Sequence, residues 1–155
     1  MLGDTISGDG SGRRALILVE NLSVPFDRRV WQECTTLRDA GWEVHVICPR
    51  GEKRDTEPEA EIDGVRIHRY PLRAATGGPA GYLREYGSAL WHTARLARTV
   101  GPVHVVHACN PPDLLFLVAM PFIPLGVRFI FDHHDINPEL YGIKFAKMTL
   151  TKRLL

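Results

Sequence analysis

At 155 residues the chain has the length of one domain, and it is shorter than the two-domain enzymes that carry out most group transfers. Hydrophobic residues make up 45% of it and charged residues 24%, which is typical of a globular protein, and a formal net charge of +1 excludes a general attraction to nucleic acid. The cysteines are widely spaced in apolar stretches, outside any C-x-x-C or Cys/His cluster. We therefore expect reduced core residues of a cytoplasmic protein at Cys34, Cys48 and Cys109.

The amino-terminal part of the sequence predicts a leader followed by a strand, a helix and a strand. Residues 1–14 are rich in glycine and serine and lack the apolar core of a secretory signal, so we predict a disordered leader. The apolar run 15–20 predicts a strand buried on both faces of a parallel sheet. Asp27 is placed to cap a helix that ends at Gly41, and a second apolar strand follows at 43–48. This order predicts a right-handed βαβ unit.

The middle of the chain predicts a loop, a strand and a long helix. Residues 49–61 are charged and contain two prolines, which indicates a surface loop. The turn pair Asp63-Gly64 precedes a half-exposed strand that runs to Tyr70. From Gly81 to Val100 the pattern is that of an amphipathic helix packed on the sheet. Its predicted apolar stripe consists of Leu83, Tyr86, Leu90, Ala94 and Ala97.

The carboxyl-terminal third predicts strands at 103–108 and 127–132, joined by a short helix at 111–122. Residues 114–131 carry one charge, Arg128, and are long enough to resemble a membrane span. Prolines at 121 and 124 and a glycine at 126 interrupt this run, so we predict buried core instead. A further helix starts at Pro138 and has no cap before the last residue, which indicates a chain that continues.

Together these elements predict an α/β fold with a Rossmann-like open, mostly parallel sheet and helices on both faces. The domain is expected at 15–141, and residues 142–155 are expected to begin a helix that is cut short. In such sheets, ligands bind where loops leave the carboxyl ends of the strands. Three loops there are rich in polar residues, at 21–29, 110–113 and 132–139.

Each of these loops has a structural interpretation beside a functional one. Asp27 is a helix cap or a ligand contact, and Asn110 and Asp113 fit either turn and cap chemistry or a binding site. The cations Arg28 and Arg29 are either solvated or near an anion, since they oppose the helix dipole. The cluster at 132–139 points to function, because a histidine beside a carboxylate handles protons and hydroxyls well. A metal is an alternative there, although adjacent histidines on a strand point to opposite faces.

The long helix also carries a basic stripe. Spacings of seven, four and three place its members on one face: Arg84, Trp91, Arg95 and Arg98. Such a stripe is either a solvated face or a surface that rests on an anionic membrane.

The polar motifs resemble those of family 4 glycosyltransferases. The sequence carries Pro25-x-Asp27-x-Arg29-Val30-x-x-Glu33, then Leu37-x-x-Ala40-Gly41-x-Glu43-Val44 and Ile62-Asp63-Gly64-Val65. It continues with His107-x-x-Asn110-Pro111-Pro112-Asp113 and Asp132-x-His134-Asp135-x-x-Pro138-Glu139. The set occurs in the family's order and is similar to the N-terminal, acceptor-side half of a GT-B fold.

The resemblance implies a retaining transferase that moves a sugar from a nucleotide sugar to the hydroxyl of a glycan or lipid-linked acceptor, without an obligatory metal. It implies a catalytic role for His134 with Asp135, His133 being the alternative if the register shifts by one. The expected substrate contacts are Asn21, Asp27, Arg28, Arg29, Asn110, Asp113, His133, Asn137 and Glu139. Residues 21–24 lack the glycine pair that many members use near the donor diphosphate.

No donor-binding half is recognisable in this sequence, so we expect the chain to be inactive alone and to need that domain in cis or in trans. The expected location is the cytoplasm, with contact at the inner membrane face if the basic stripe binds lipid. A small subunit or nucleotide-binding module that pairs with a separate donor domain is the alternative. An NAD-dependent enzyme is disfavoured because no G-x-G-x-x-G follows the first strand.

Overall fold

The computed structural model describes residues 12–72, 78–109 and 113–133, and this part of the chain forms a six-stranded sheet with helices on both faces. The strands are β1 (Arg14–Leu18), β2 (Glu43–Pro49), β3 (Glu59–Ile62), β4 (Val65–Tyr70), β5 (Val105–Cys109) and β6 (Arg128–Asp132). The helices are α1 (Arg28–Asp39), α2 (Gly78–Ala97) and α3 (Phe116–Ala119). The strand order is β3-β4-β2-β1-β5-β6, and every pairing is parallel except that of β3 with β4. The predicted Rossmann-like, mostly parallel sheet is confirmed.

The core lies on both faces of the sheet because β1 carries apolar side chains on both of its faces. Leu16 and Leu18 face a cluster that contains residues of α2 and α3, whereas Ile17 and Val19 face a cluster that contains Val30 of α1. Successive strand residues point to opposite faces, so a run without alternation requires cover on both sides. The three cysteines are buried and free, as predicted. Cys34 is on α1, and Cys48 and Cys109 are near the ends of β2 and β5.

Helix α1 begins and ends as its sequence indicates. The carboxylate of Asp27 accepts hydrogen bonds from the backbone N–H groups of Arg29 and Val30, at 3.2 and 3.1 Å. After the C-cap at Ala40, Gly41 takes a φ of 83°, in the left-handed region that glycine tolerates best. The capping role of Asp27 is therefore confirmed.

The prediction of a loop over 49–61 is wrong at its carboxyl-terminal end, because Glu59–Ile62 forms β3, which pairs antiparallel with β4. Asp63 and Gly64 have φ values of 47° and 75°, so they form the tight turn that a two-residue hairpin requires. The strand was not evident because its residues alternate charged and apolar over only four positions. It is an edge strand, where charged side chains are common.

Helix α2 begins and ends three residues before its predicted bounds of 81 and 100. Leu83, predicted on the apolar stripe, is 77% exposed, which corrects that prediction. The end of the predicted stripe is confirmed, because Ala97 is buried and Leu90 and Ala94 pack against the core. Three residues outside the predicted stripe are also buried: Ala89, Thr93 and Leu96. Periodicity alone therefore overestimated the buried length.

The apolar run 114–131 is broken as predicted, but most of it is not buried core. It forms 3-10 turns at Asp113–Leu115 and Met120–Leu125 around α3, and then β6. Prolines inside the second turn cannot donate to a regular helix, and Gly126 ends it with a φ of 85°. Eight large apolar side chains of this run are 36% or more exposed: Leu114, Phe116, Leu117, Met120, Ile123, Leu125, Ile130 and Phe131. Ile130 and Phe131 lie on β6, at the edge of the described sheet, and the other six lie in α3 and the two 3-10 turns.

In the described part of the chain, no helix is long and apolar enough to cross a membrane. Two predictions concern segments largely outside the described residues. These are the leader at 1–14, of which residues 1–11 are not described, and the helix from Pro138 with its continuation at 142–155.

Candidate functional site

The carboxyl ends of β1, β5 and β6 lie side by side, as the predicted site requires. Leu18 of β1 is in register with Ala108 of β5, and Cys109 of β5 is in register with Asp132 of β6. The chain leaves β1 toward β2 on one side and leaves β5 toward β6 on the other. The gap between β1 and β5 is therefore the topological switch point, where open α/β sheets bind ligands. We call this edge the rim.

One ion pair joins two of the predicted loops directly across the rim. A guanidinium nitrogen of Arg29 lies 2.6 Å from Asp132 Oδ2 and 3.4 Å from Glu33 Oε1. Arg29 is at the start of α1 and Asp132 ends β6, so residues 103 positions apart meet. The two carboxylates supply the anion that a cation at a helix N-terminus requires. Arg28, the other predicted cation, is exposed.

Beneath this ion pair, His107 lies between two carboxylates. Its Nδ1 is 3.8 Å from Glu33 Oε2 and its Nε2 is 3.6 Å from Asp132 Oδ2. Cys109 follows on the same face of β5, and burial together with the nearby Glu33 charge raises its pKa to about 12. Glu33 and His107 line a groove of about 1160 Å³ between α1 and the strands β5 and β6.

A second cavity, of about 600 Å³, lies at the rim itself. Three successive connections border it: the loop after β1, the loop after β2 and the residues after β4. Among its lining residues are Asn21, Phe26, Arg50, Lys53, Arg54 and Glu85. The Arg54 guanidinium stacks 5.4 Å from the ring centre of Phe26. An aromatic face with mixed charges and an amide suits a polar, hydroxyl-rich ligand. The groove on the α1 face is larger, and this cavity lies on the β2 side of the switch point, above the carboxyl ends of β1, β2 and β4.

Buried Arg69 holds the loops of this cavity together. Its guanidinium donates to the carbonyl of Val24 at 2.7 Å and lies 3.4 Å from Asp55 Oδ1. The hydroxyl of Ser23 donates to Asp55 Oδ2 at 3.0 Å. Gly51 closes the loop tightly, because a Cβ there would lie 2.2 Å from a backbone oxygen of the same loop. The loops after β1 and β2 are thus fixed to each other and to β4.

Glu20 lies next to the rim at the end of β1 and is only 5% exposed. Its Oε1 is buried without a hydrogen bond within the described part of the chain. Burial, reinforced by the charge of Glu85, raises the pKa of Glu20 to about 7. A carboxyl that titrates near neutrality can hold or release a proton there, which is the property of a general acid or base.

The predicted site residues divide into those that the structure places and those beyond it. Asn21 lines the rim cavity, Asp27 is buried as a cap, and His133 is exposed, its ring 5.9 Å from that of Phe131. Asp113 starts a 3-10 turn, and its side chain is not described. Outside the described residues lie Asn110, His134, Asp135, Asn137 and Glu139.

Sequence reasoning did not select three residues that build the site. Arg69 shares the inward face of β4 with Val65 and Ile67, so a charge in an apolar alternation was the available signal. Glu20 directly continues an apolar run, which is a similar signal. His107 shares one face of β5 with Val105 and Cys109. It begins one of the motifs quoted for the resemblance, but no role was predicted for it.

The basic stripe is exposed along α2, as predicted. All four of its members face solvent, and Trp91 is 62% exposed. The guanidinium of Arg95 lies 5.6 Å from the indole ring centre. The stripe is on the helix face opposite the core residues Ala89, Leu96 and Ala97.

One family model and one solved structure are similar to this chain. The model of the glycosyl transferase 4-like domain matches residues 27–155. No curated protein matches the sequence. Among solved structures, sucrose-phosphate synthase from Thermosynechococcus elongatus is similar, with 15% identity and a TM-score of 0.49. The similarity covers 78% of this chain and 32% of that protein, so the chain spans about a third of its length.

The family match includes α1, the rim residues at 29, 33, 107 and 132, and the predicted motifs at 110–113 and 132–139. It extends over well more than half of the chain, and it coincides with a mostly parallel sheet whose polar loops meet at one edge. The chain therefore belongs to the glycosyl transferase 4-like family, whose general activity is glycosyl transfer.

Proposed function

We propose that this chain is the acceptor-side domain of a retaining GT-B glycosyltransferase. In this role the rim holds an acceptor while a sugar passes from a nucleotide sugar to one of its hydroxyls. The observation that carries the proposal is the meeting of the polar loops at the switch point, where Arg29 reaches Asp132 over 2.6 Å. Each loop comes from a different strand, so the site depends on the sheet order.

The rim cavity suits the acceptor in size and chemistry. Its volume of about 600 Å³ is in the range of small-molecule sites, which hold roughly 300–1,000 Å³. Asn21 and Arg54 offer hydrogen bonds to hydroxyls, and Phe26, half exposed, offers an apolar face to a sugar ring. Arg69 keeps these loops in place without lining the cavity, so acceptor binding requires little reordering.

Transfer by this chain is proposed to require a donor-binding domain, in cis or in trans. We assign the nucleotide sugar to that domain, because residues 21–24 contain no glycine that would let the backbone approach a diphosphate. His134 with Asp135 is proposed to face the donor sugar from the end of β6, and His133 is the alternative. No metal or other cofactor is assigned to the transfer step.

The test joins the chain to the donor-binding domain of a family member whose nucleotide sugar is established. Release of the nucleotide and transfer of a radiolabelled sugar are measured with a panel of sugars, sugar phosphates and lipid-linked acceptors. We expect transfer by the fusion and none by either domain alone. His134→Ala should reduce kcat by at least about 100-fold, the scale of a lost acid–base or positioning group.

His104→Ala is the matched control, because His104 is exposed and lies before β5, at the opposite edge of the sheet. This variant should keep the turnover of the parent fusion. Transfer by the chain alone, or full turnover of the fusion after His134→Ala, would contradict the assignment. Circular dichroism of each variant separates a lost function from a lost fold.

A peripheral membrane contact is proposed for α2, supported by the exposure of two apolar side chains beside its arginines. Leu83 is 77% and Trp91 62% exposed, Arg84 and Arg95 lie on the same helix, and Arg98 directly follows its end. Exposed aromatic and leucine side chains enter the interface of a bilayer, and arginines attract anionic headgroups. Such a contact would bring a lipid-linked acceptor close to the rim.

A further inference from the structure

Four side chains beneath the rim form a compact group of metal-binding atoms. One ligand atom from each lies within 4.8 Å of the others, and the residues are Glu33, His107, Cys109 and Asp132. They come from α1, β5 and β6, so the group forms only when the sheet and helix are assembled. We propose that these four residues bind one Zn²⁺ ion, which ties α1 to the edge strands below the rim.

Two atoms of the group lack the partners that buried polar atoms normally have. Glu33 Oε2 and His107 Nε2 are buried and make no hydrogen bond within the described part of the chain. A buried polar atom without a hydrogen-bond partner destabilises the fold, because it has lost water and gained nothing in return. Arg29 does not remove this deficit, because it contacts the other oxygen of Glu33, Oε1, at 3.4 Å. A cation among the four side chains would satisfy both atoms.

The distances are close to those of a tetrahedral zinc site. Zinc bonds of about 2.0–2.3 Å place neighbouring ligand atoms roughly 3.3–3.8 Å apart. His107 Nε2, the ring nitrogen without a hydrogen bond within the described part of the chain, is available to the ion and lies 3.6 Å from Asp132 Oδ2. The four ligand atoms all lie within 4.8 Å of one another. Small rotations of side chains would bring the remaining atoms into range, and the groove on the α1 face gives the ion a path from solvent.

The kinds of ligand and the local charge favour zinc over a hard cation. Imidazole and thiolate are ligands of Zn²⁺, whereas Mg²⁺ and Ca²⁺ bind oxygen. The two carboxylates of Glu33 and Asp132 exceed the single positive charge of Arg29 by one negative charge. Binding of Zn²⁺ with loss of the thiol proton brings the group to neutrality. The proton released goes to solvent, and the metal–sulfur bond replaces the S–H bond.

The test is metal binding by the chain itself, so it is independent of glycosyl transfer. Zn²⁺ is titrated against a chromophoric chelator, and Co²⁺ is used as a spectroscopic substitute. We expect one equivalent of Zn²⁺, a thiolate-to-cobalt absorption band, and a rise in Tm on adding zinc. Cys109→Ser should abolish the band and weaken Zn²⁺ binding by at least about tenfold.

Cys48→Ser is the matched control, because Cys48 is also a buried, free thiol but lies outside the group. It should keep the band and the affinity. If Cys109→Ser does not fold, Zn²⁺ binding is measured on Glu33→Gln and Asp132→Asn instead. Both side chains are partly exposed, so these substitutions should leave the fold intact. The proposal is overturned if Zn²⁺ does not bind stoichiometrically, or if its affinity is unchanged in the folded ligand variants.

Discussion

The buried carboxyl of Glu20 makes the stability of this domain depend on pH in an unusual direction. Burial raises its pKa to about 7, whereas 4.5 is the ordinary value expected in the unfolded chain. Between these values the folded state holds one proton more than the unfolded state. The free energy of unfolding therefore falls as the pH rises from 4.5 to 7, and the stabilising contribution is complete only below 4.5.

The magnitude follows from the size of the shift. One pKa unit corresponds to about 1.4 kcal/mol, so the change from 4.5 to about 7 is worth up to about 3 kcal/mol. Glu20→Gln removes the titration while keeping the shape of the side chain. As the pH increases across this window, the parent should lose stability relative to Glu20→Gln. Above the window, the difference in unfolding free energy between the two proteins should stay constant.

The assay is urea unfolding of both proteins at closely spaced pH values from 4 to 8.5, roughly the range in which buried carboxyls titrate. The difference between them isolates Glu20, because Glu85, Tyr70 and His92, which lie around it, are present in both. Glu57→Gln, at an exposed side chain, is the control and should leave the parent profile unchanged. A difference that stays constant with pH would refute the reasoning, because the pKa of Glu20 would then be the same in the folded and unfolded states.

Further expectations concern the helix cap, the rim loop and the basic stripe. Asp27→Ala should lower the free energy of unfolding by about 1 kcal/mol, while Asp27→Asn, which still accepts the backbone hydrogen bonds, should lose much less in the same urea assay. Gly51→Ala should cost about 1–3 kcal/mol, because the new Cβ meets the Arg54 carbonyl, and an unchanged Tm would contradict this contact. Trp91→Ala with Arg95→Glu should abolish flotation with vesicles rich in phosphatidylglycerol, and equal flotation of variant and parent would exclude α2 as the membrane surface.

Much of the fold was predictable because its signals are local. The double-sided apolar pattern of β1, the cap at Asp27 and the turn at Asp63-Gly64 each depend on a few neighbouring residues. The cap could be predicted because the carboxylate accepts hydrogen bonds only from backbone N–H groups two and three residues further along the chain. The same locality explains the missed strand β3, which is too short and too polar to show a pattern without its partner β4.

The candidate site could be predicted only as a set of loops. The sequence indicated that polar segments follow β1, β5 and β6, and parallel pairing then placed them on one edge. It did not indicate that Arg29 would form an ion pair with Asp132, or that His107 would lie beneath that pair. Such contacts depend on strand order, which no local periodicity encodes.

The amino-acid sequence by itself determined where strands and helices form, the faces that β1 requires to be covered, and the family to which the motifs belong. Only the tertiary structure decided which polar side chains are buried, as for Glu20 and Arg69, and which apolar ones are not, as for Leu83 and Phe131. The physical reason is that hydrophobic periodicity specifies a face, whereas burial depends on the element that packs against that face. The partners at 29 and 132 are 103 residues apart, and the order of the sheet alone brings them together.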